Sequence, residues 1–401
     1  MPPGEPIAVV VLAGGTSRRF GQDKLAASVE GRSLLDVALG ALPETAEVVV
    51  VGPVRPTSRP VCFVREDPAG GGPAAALVAG LRQGLSGTAQ VLAVLPADAP
   101  AGGEAAVALL AALAADPAAT ALVAVDDEGR EQPLQLVLRR PAVVTLVTAA
   151  VDGAAGASAR RLLLGSLGSQ LERVRLSPRT LFDIDTPAQL AAWSAQDSPA
   201  VTALLELVER HRRADGRPVV LALDGASGTG KSTLAEAVRL RTGATVLPGD
   251  DFYSVAFADA DPGDLALLTD AEIADRVFDW SRLRVEALAP LAAGRPARYR
   301  PYDWTGAGAG GSTARPDRLG PPRTLPSAPL VVLEGVYAAR PELADLVTAT
   351  ALVAVPDAVR QQRRDARGDD PGRQELWERG ERHHFSRLRT AVDVDLVVPG
   401  D

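Results

Sequence analysis

Cysteine is nearly absent from this 401-residue chain, where Cys62 stands alone. No internal disulfide can form and no cysteine cluster can hold a metal, which suits a reducing compartment. Cys62 itself reads as a small apolar strand residue. Lysine is almost as scarce: of 42 Lys and Arg residues only Lys24 and Lys231 are lysine. Arginine serves wherever a generic positive charge suffices, so the two compact ammonium groups stand out. No apolar run approaches the ~20 residues that cross a bilayer. The opening MPPGEPIAVVVLAGG passes straight into a strand without a basic leader region. The expectation is a cytoplasmic protein with no membrane partner. An excess of positive charge is also missing, since the net charge is −8. That opposes general attraction to nucleic acid, so any phosphate binding must be local.

What is present is ordinary globular composition, 46% hydrophobic and 23% charged, over a length that suits two domains. In the first half, β-branched runs at Ile7–Leu12, Glu47–Val51, Val91–Leu95, Ala121–Val125 and Arg173–Leu176 read as strands. Helical stretches fill the gaps at Leu34–Leu42, Ala74–Leu85, Glu104–Ala115, Pro141–Ala150 and Pro187–Gln196. This alternation predicts a mainly parallel sheet flanked by helices, with ligands at the carboxyl ends of the strands. A polar stretch near residue 198 marks a boundary, followed by a helix over Val201–Arg213 that either joins the second domain or connects the two. The second half restarts with strand Val219–Leu223, a helix over Ser232–Leu240 and a later strand Leu330–Leu333, and residues 305 to 329 form a Gly/Pro/Arg-rich loop. The predicted fold class is α/β in two domains, 1–197 and 198–401, the second with its core from about residue 217. Each is a mainly parallel sheet flanked by helices.

Strand Ile7–Leu12 ends in Leu12, Ala13, Gly14 and Gly15, and the loop runs on through Arg19 to Lys24. Glycines there let backbone N–H groups approach a base and its phosphates, while Arg19 and Lys24 add charge. Three companions follow: Gly70-Gly71-Gly72-Pro73 opening a helix, Asp98 just after strand Val91–Leu95, and Asp183-Ile184-Asp185-Thr186-Pro187. Asp98 and Asp185 suit Mg²⁺, though either could instead cap a helix. The set resembles the molybdenum cofactor guanylyltransferase family, within the wider nucleotidyltransferases that include cytidylyltransferase and sugar-phosphate relatives. The resemblance spans nearly all of residues 5–195 and implies a Rossmann-like domain. It further implies that Leu12–Gly15 surround the base, Lys24 and Arg19 hold phosphates, and Asp67, Gly72 and Pro73 contact the nucleoside. Asp98 would carry Mg²⁺ with Asp185 as second metal contact, and Gln132 and Pro133 would approach a molybdopterin-like acceptor. The substrate implied is GTP. Where the family follows its Gly-Pro turn with Leu-Ala-Gly, this chain has Ala74-Ala75-Ala76, so CTP or another nucleotide stays open.

The second loop, Gly225-Ala226-Ser227-Gly228-Thr229-Gly230-Lys231-Ser232-Thr233, matches G-x-x-x-x-G-K-S between a strand and a helix. In that setting the loop N–H groups cradle phosphates, Lys231 reaches the β/γ oxygens and Ser232 binds Mg²⁺. Downstream stand Asp250-Asp251-Phe252-Tyr253, Tyr302-Asp303-Trp304 and Glu334-Gly335. With these the second half resembles the uridine kinase family of P-loop kinases. That resemblance implies ATP as donor, Asp250 as the base, Glu334 beside Mg²⁺, and Tyr253, Asp279, Tyr302 and Asp303 around a nucleoside-like acceptor. Arg360, Arg363, Arg364 and Arg367 would form a lid over the nucleotide. The family places a base-reading histidine after Asp303-Trp304, where this chain has Thr305-Gly306-Ala307, so the acceptor's base stays open. The stretch reads otherwise as an accessory GTPase or a regulator that binds nucleotide without turnover. His383 and His384 are given no role.

Overall fold

The computed structural model describes residues 5–15, 19–150, 154–212, 214–304, 317–366, 371–388 and 393–400. The chain divides into two compact units, Met1–Leu190 and Ala191–Asp401, a break ahead of the expected one near residue 198.

The first unit is built on seven strands: β1 (Ile7–Leu12), β2 (Glu47–Val51), β3 (Cys62–Val64), β4 (Val91–Pro96), β5 (Ala121–Val125), β6 (Glu131–Arg139) and β7 (Leu171–Arg175). Their order is β3-β2-β1-β4-β6-β5-β7. All pairs are parallel except those of β6, which runs antiparallel to both β4 and β5. Helices α1 (Leu34–Gly40), α2 (Pro73–Leu85), α3 (Gly102–Ala115), α4 (Arg140–Ala149) and α5 (Ala159–Leu167) accompany the sheet. Strands covered on both faces lose any apolar/polar alternation. Hence β1 and β5 read as unbroken apolar runs and are buried along nearly their whole length. Val10, Leu77, Leu81, Leu92, Leu136 and Leu138 meet in the core, each such side chain contributing about 1.5–3 kcal/mol on burial.

The structure corrects the sequence reading in several places. The sheet is mainly parallel as expected, but strand β6 was not foreseen: β5 and β6 form a hairpin closed by the turn Asp126–Arg130, where Gly129 takes φ +77°. The unexpected β3 is an edge strand of three residues, and its Cys62 is exposed rather than packed inside. Strand β7 begins two residues earlier than its expected Arg173 start. Helix α5 was also missed; Ser158 caps it by accepting from Arg161 N.

The second unit carries a parallel sheet in the order β9-β12-β8-β13-β14, formed by β8 (Val219–Asp224), β9 (Thr245–Pro248), β12 (Leu330–Glu334), β13 (Ala349–Ala354) and β14 (Leu396–Pro399). A separate antiparallel pair joins β10 (Ala297–Tyr299) to β11 (Arg323–Leu325). Helix α6 (Pro187–Ser194) precedes α7 (Pro199–Arg210), whose Val201, Leu204, Leu207 and Val208 pack into this unit's core. Of the two readings left open for this helix, joining the second domain is the one its packing supports. Helix α8 (Lys231–Thr242) follows β8 directly. Residues 305–316 of the expected loop, and Arg367 of the expected lid, lie outside the described residues. Among the described residues no helix is long and apolar enough to cross a membrane.

Candidate active sites

In the first unit β1, β2 and β4 run parallel, with Leu12 level with Val51 and Pro96. Their carboxyl ends therefore open onto one edge, and the chain after β1 and after β4 meets there. Lys24 opens a short 3₁₀ turn whose cap is Asp23, accepting from Leu25 N at 3.2 Å. Asp98 follows β4, and its carbonyl accepts from Ile184 N at 2.9 Å, which brings the Asp183–Asp185 segment alongside. Lys24 Nζ lies 2.6 Å from both Asp98 Oδ2 and Asp185 Oδ1. Burial opposes the lysine's charge, but the two carboxylates outweigh it and hold the pKa above the usual lysine value.

The alternative roles for these carboxylates do not occur. Helix α3 starts from Ala101 without any side-chain cap, so Asp98 is not a capping residue. At the start of α6 the cap is Thr186, whose Oγ1 accepts from Gln189 N, while Gln189 Oε1 accepts from Asp185 N. The Asp185 carboxylate is left to face Lys24. Arg19 reaches Asp185 only at 3.9 Å and is largely exposed. Leu12 and Ala13 are buried and Gly14 and Gly15 exposed. Gly72 (φ +90°) and Pro73 start α2, with exposed Asp67 ahead of them. Gln132 and Pro133 lie on β6, beside a register shift opposite Val123 and Ala124.

Two further residues shape this site, Arg55, which carries no motif signal, and Asp183, quoted in the Asp183–Pro187 element but given no role there. Arg55 donates to both Asp23 oxygens, at 2.9 and 3.3 Å, and to the Ala13 carbonyl at 3.3 Å, tying the glycine loop to the turn that presents Lys24. Asp183 has a buried Oδ1 with no hydrogen-bond partner among the described residues. Burial first, then the charges of Asp98 and Asp185, push its pKa up to about 7.

In the second unit β8 delivers Asp224 to the start of the loop. Asp224 is buried and accepts from the backbone N–H of Gly225, Tyr337 and Ala339, at 2.7, 3.0 and 3.0 Å, and contacts His384 Nε2 at 2.8 Å. Asp224 thus fixes the loop's root, and His384, given no role from sequence, is part of that fixture. Gly225 takes φ +152°, and a Cβ there would stand 2.6 Å from the Val353 carbonyl oxygen, so the position excludes a side chain. Lys231 is buried at the first position of α8 and donates to the Ala226 carbonyl at 2.9 Å. Ser232 Oγ lies 3.2 Å from each Glu334 oxygen. Burial, then the charge of Asp250, pushes Glu334 up to about 7. A cavity of about 380 Å³ joins Ser227, Gly228, Lys231, Ser232, Thr233, Asp250 and Glu334 to an aromatic end at Tyr253.

Other expected residues sit differently. Asp279 accepts from Arg282 N and caps the helix beginning at Trp280, so its carboxylate serves a turn rather than the cavity wall. Tyr302 is buried behind Tyr253, their ring centroids 5.1 Å apart, and Asp303 N donates to Arg318 O. Neither lines the cavity. Asp251, beside the expected base, is held by Tyr299 Oη at 2.6 Å and Arg323 at 3.0 Å, whereas Asp250 is exposed to the cavity. Thr229 is buried, its hydroxyl donating to the Ala226 carbonyl, and Gly230 at φ +92° starts α8. Arg363 reaches Gly228 O at 3.4 Å, but Arg364 is buried in an ion pair with Glu378 at 2.5 Å. Arg360 pairs with Glu381, whose other oxygen accepts from Ser227 N at 3.2 Å.

Mg²⁺ takes oxygen ligands, typically one or two carboxylates plus substrate phosphates. Asp98 and Asp185, converging on one ammonium group, and Ser232 with Glu334 and Asp250 around the loop lysine, are donor sets of that kind. Among the described residues no group of three or more His, Cys, Asp or Glu could hold a metal ion by itself, so substrate phosphates would have to complete the shell.

Residues 9–173 match the family model described as the MobA-like NTP transferase domain. No curated protein matches the chain. Solved structures similar to it include a possible uridine kinase from Bacillus stearothermophilus (18% identity, TM-score 0.37, 49% of this chain and 96% of that one). Others are molybdopterin-guanine dinucleotide biosynthesis protein A from Archaeoglobus fulgidus (21%, 0.34, 46% and 94%) and 2-C-methyl-D-erythritol 4-phosphate cytidylyltransferase from Thermus thermophilus (21%, 0.33, 46% and 96%). The first half of the chain is thus similar over 9–173 to the MobA-like NTP transferase domain.

Proposed function

We propose that the chain is a bifunctional enzyme: a nucleotidyltransferase over residues 1–197 and an ATP-dependent small-molecule kinase over 198–401, in a cytoplasmic setting. The first activity transfers GMP from GTP to a phosphate acceptor such as molybdopterin. An acceptor phosphate oxygen attacks the α-phosphorus, the bond to the β-phosphate breaks, and pyrophosphate leaves. No general base is required, because a phosphate monoester is largely ionised near neutral pH. The observation that carries this reading is Lys24 Nζ held 2.6 Å from both Asp98 and Asp185, beside a glycine loop at a strand end. Mg²⁺, when bound by Asp98 and Asp185, would neutralise charge on the phosphates. Lys24 and Arg19 would then turn to phosphate oxygens, and Arg55 would keep the loop in place. Purified protein incubated with molybdopterin and either GTP or CTP tests the reading by pyrophosphate release and product mass. Dinucleotide from GTP is expected. Product only from CTP reverses the base, and product only with a sugar phosphate reverses the acceptor.

In the second activity Asp250 accepts the acceptor's hydroxyl proton as the new bond to the γ-phosphorus forms and ADP leaves. Lys231 and the loop N–H groups hold the phosphates, Ser232 and Glu334 would hold Mg²⁺, and Arg360 and Arg363 stand beside the loop. A Lys231→Ala change should lower kcat/KM at least about 100-fold, as loss of a transition-state electrostatic contact does. ATP hydrolysis without any phosphorylated acceptor across a panel of nucleosides sinks the kinase in favour of an accessory NTPase.

A further inference from the structure

A glycine-rich phosphate loop holds anions because its backbone N–H groups converge beside a lysine. One of those N–H groups in the second unit already serves a carboxylate. Ser227 N donates to Glu381 Oε1 at 3.2 Å, and Glu381 Oε2 accepts from Arg360 at 3.1 Å. Glu381 stands near the end of the helix Pro371–His383 and is 5% exposed. Arg360, one of the expected lid arginines, comes from the helix Asp357–Asp365. A loop N–H and a lid guanidinium meeting on one anionic group are the donor pair that a phosphate oxygen would receive at the same place.

Two cavities meet at this carboxylate. The one of about 380 Å³ is bordered by Ser227, Lys231 and Ser232, and another of about 430 Å³ by Ala226, Thr229, Val353 and Phe385. Among the described residues Glu381 alone borders both. A polyphosphate lying along the loop therefore has to pass a buried group of its own charge, and like charges repel strongly where water is scarce. The helix end is anchored three residues further on, where His384 contacts Asp224 at the loop's root at 2.8 Å. Glu381 can thus swing away by a change of side-chain rotamer while its helix stays in place.

We propose that Glu381 is an internal stand-in for a nucleotide phosphate, an autoinhibitory carboxylate that must leave Ser227 N and Arg360 before a polyphosphate can take both. The inference rests on the nucleotide-binding reading of this unit and adds a regulatory contact to it. The apparent affinity for a polyphosphate is then reduced in proportion to the fraction of molecules whose loop is uncovered. A positioning role, in which Glu381 holds Arg360 and the loop ready for phosphate, would make the same carboxylate raise the affinity. The two roles differ in sign.

The test is the Kd of the full chain for Mg-ATP and for inorganic triphosphate by titration calorimetry, in a Lys24→Ala background so that only the second unit's loop answers. Glu381→Gln is compared with that parent, and Glu381→Ala is read alongside should the amide disturb the fold. Removing the carboxylate is expected to tighten both ligands at least about 10-fold, as loss of a charge-assisted competitor does. Asp357→Asn controls for charge alone: Asp357 also faces Arg360, at 3.6 Å, but is 97% exposed. It should change either Kd less than about 2-fold. Weaker or unchanged binding in the Glu381 variants overturns the autoinhibitory contact, and so does an equal gain in Asp357→Asn, while the nucleotide site stands. Binding that survives Lys231→Ala, or no binding at all, removes the nucleotide reading of this unit and the inference with it.

Discussion

Glu381 has no motif to announce it, yet it touches more of the second site than most residues that do. Its carboxylate accepts from Ser227 N at 3.2 Å and from Arg360 at 3.1 Å, within the wall of the phosphate cavity. Burial raises its pKa above the usual carboxylate value against the opposing pull of Lys231 and Arg360. The sign of the linkage follows. A carboxyl group whose pKa is raised by folding favours the fold when protonated, fully so below its unfolded value of about 4.5. That contribution is lost as pH rises through the raised value. For Glu381→Gln, which cannot ionise, the melting temperature relative to the parent should therefore climb as pH rises above the ordinary glutamate value. A difference that stays flat or falls with pH would count against this account of the buried charge. The sequence could show that Asp98 and Asp185 suit a metal, but each also suited a helix cap. Only the position of Thr186, and the uncapped start of α3, decide between the roles. Arg55, Glu381 and His384 were invisible because their partners lie 32, 154 and 160 positions away.

At the scale of elements, the long buried strands and amphipathic helices were legible because their periodicity is local. Strand β6 was not, since Pro133 and the polar Gln132 and Gln135 interrupt its apolar pattern, and its direction is set by the hairpin turn at Gly129. Close approach of elements was equally hidden. Helix α2 lies so near the sheet that a Cβ on Gly80 would stand 2.2 Å from Val10 Cγ1 and 2.8 Å from Val51 Cγ2. Helix propensity alone favours alanine over glycine there by roughly 0.5–1 kcal/mol. Overpacking opposes it by about 1–3 kcal/mol, and both valines belong to buried strands that cannot yield cheaply. Gly80→Ala is therefore expected to lower the unfolding free energy by a net of up to about 2 kcal/mol, read as a lower denaturant midpoint. A midpoint at or above the parent's would mean that α2 can slide outward and that the close contact with β1 is not needed.

For the whole molecule, the two lysines offer a way to ask whether the units bind independently. Each unit has its own core, around Leu77 and Leu92 in one and around Leu221 and Leu234 in the other. Each also places one lysine at a strand-end loop, Lys24 beside Asp98 and Lys231 within hydrogen-bonding distance of Ala226 O. A ligand present at ~100 times its Kd stabilises the folded state it binds by about 2.7 kcal/mol. If the two sites are as assigned, GTP at that level should raise the melting of one unit and ATP that of the other. Lys24→Ala should then remove the GTP shift and leave the ATP shift, while Lys231→Ala does the reverse. This crossed pattern is informative because a general loss of stability would weaken both responses together, and a single shared site would make each substitution abolish both. Calorimetry of the parent and the two variants, each with and without each nucleotide, separates these cases. Loss of both shifts from either single substitution would break the assignment of one nucleotide site to each unit.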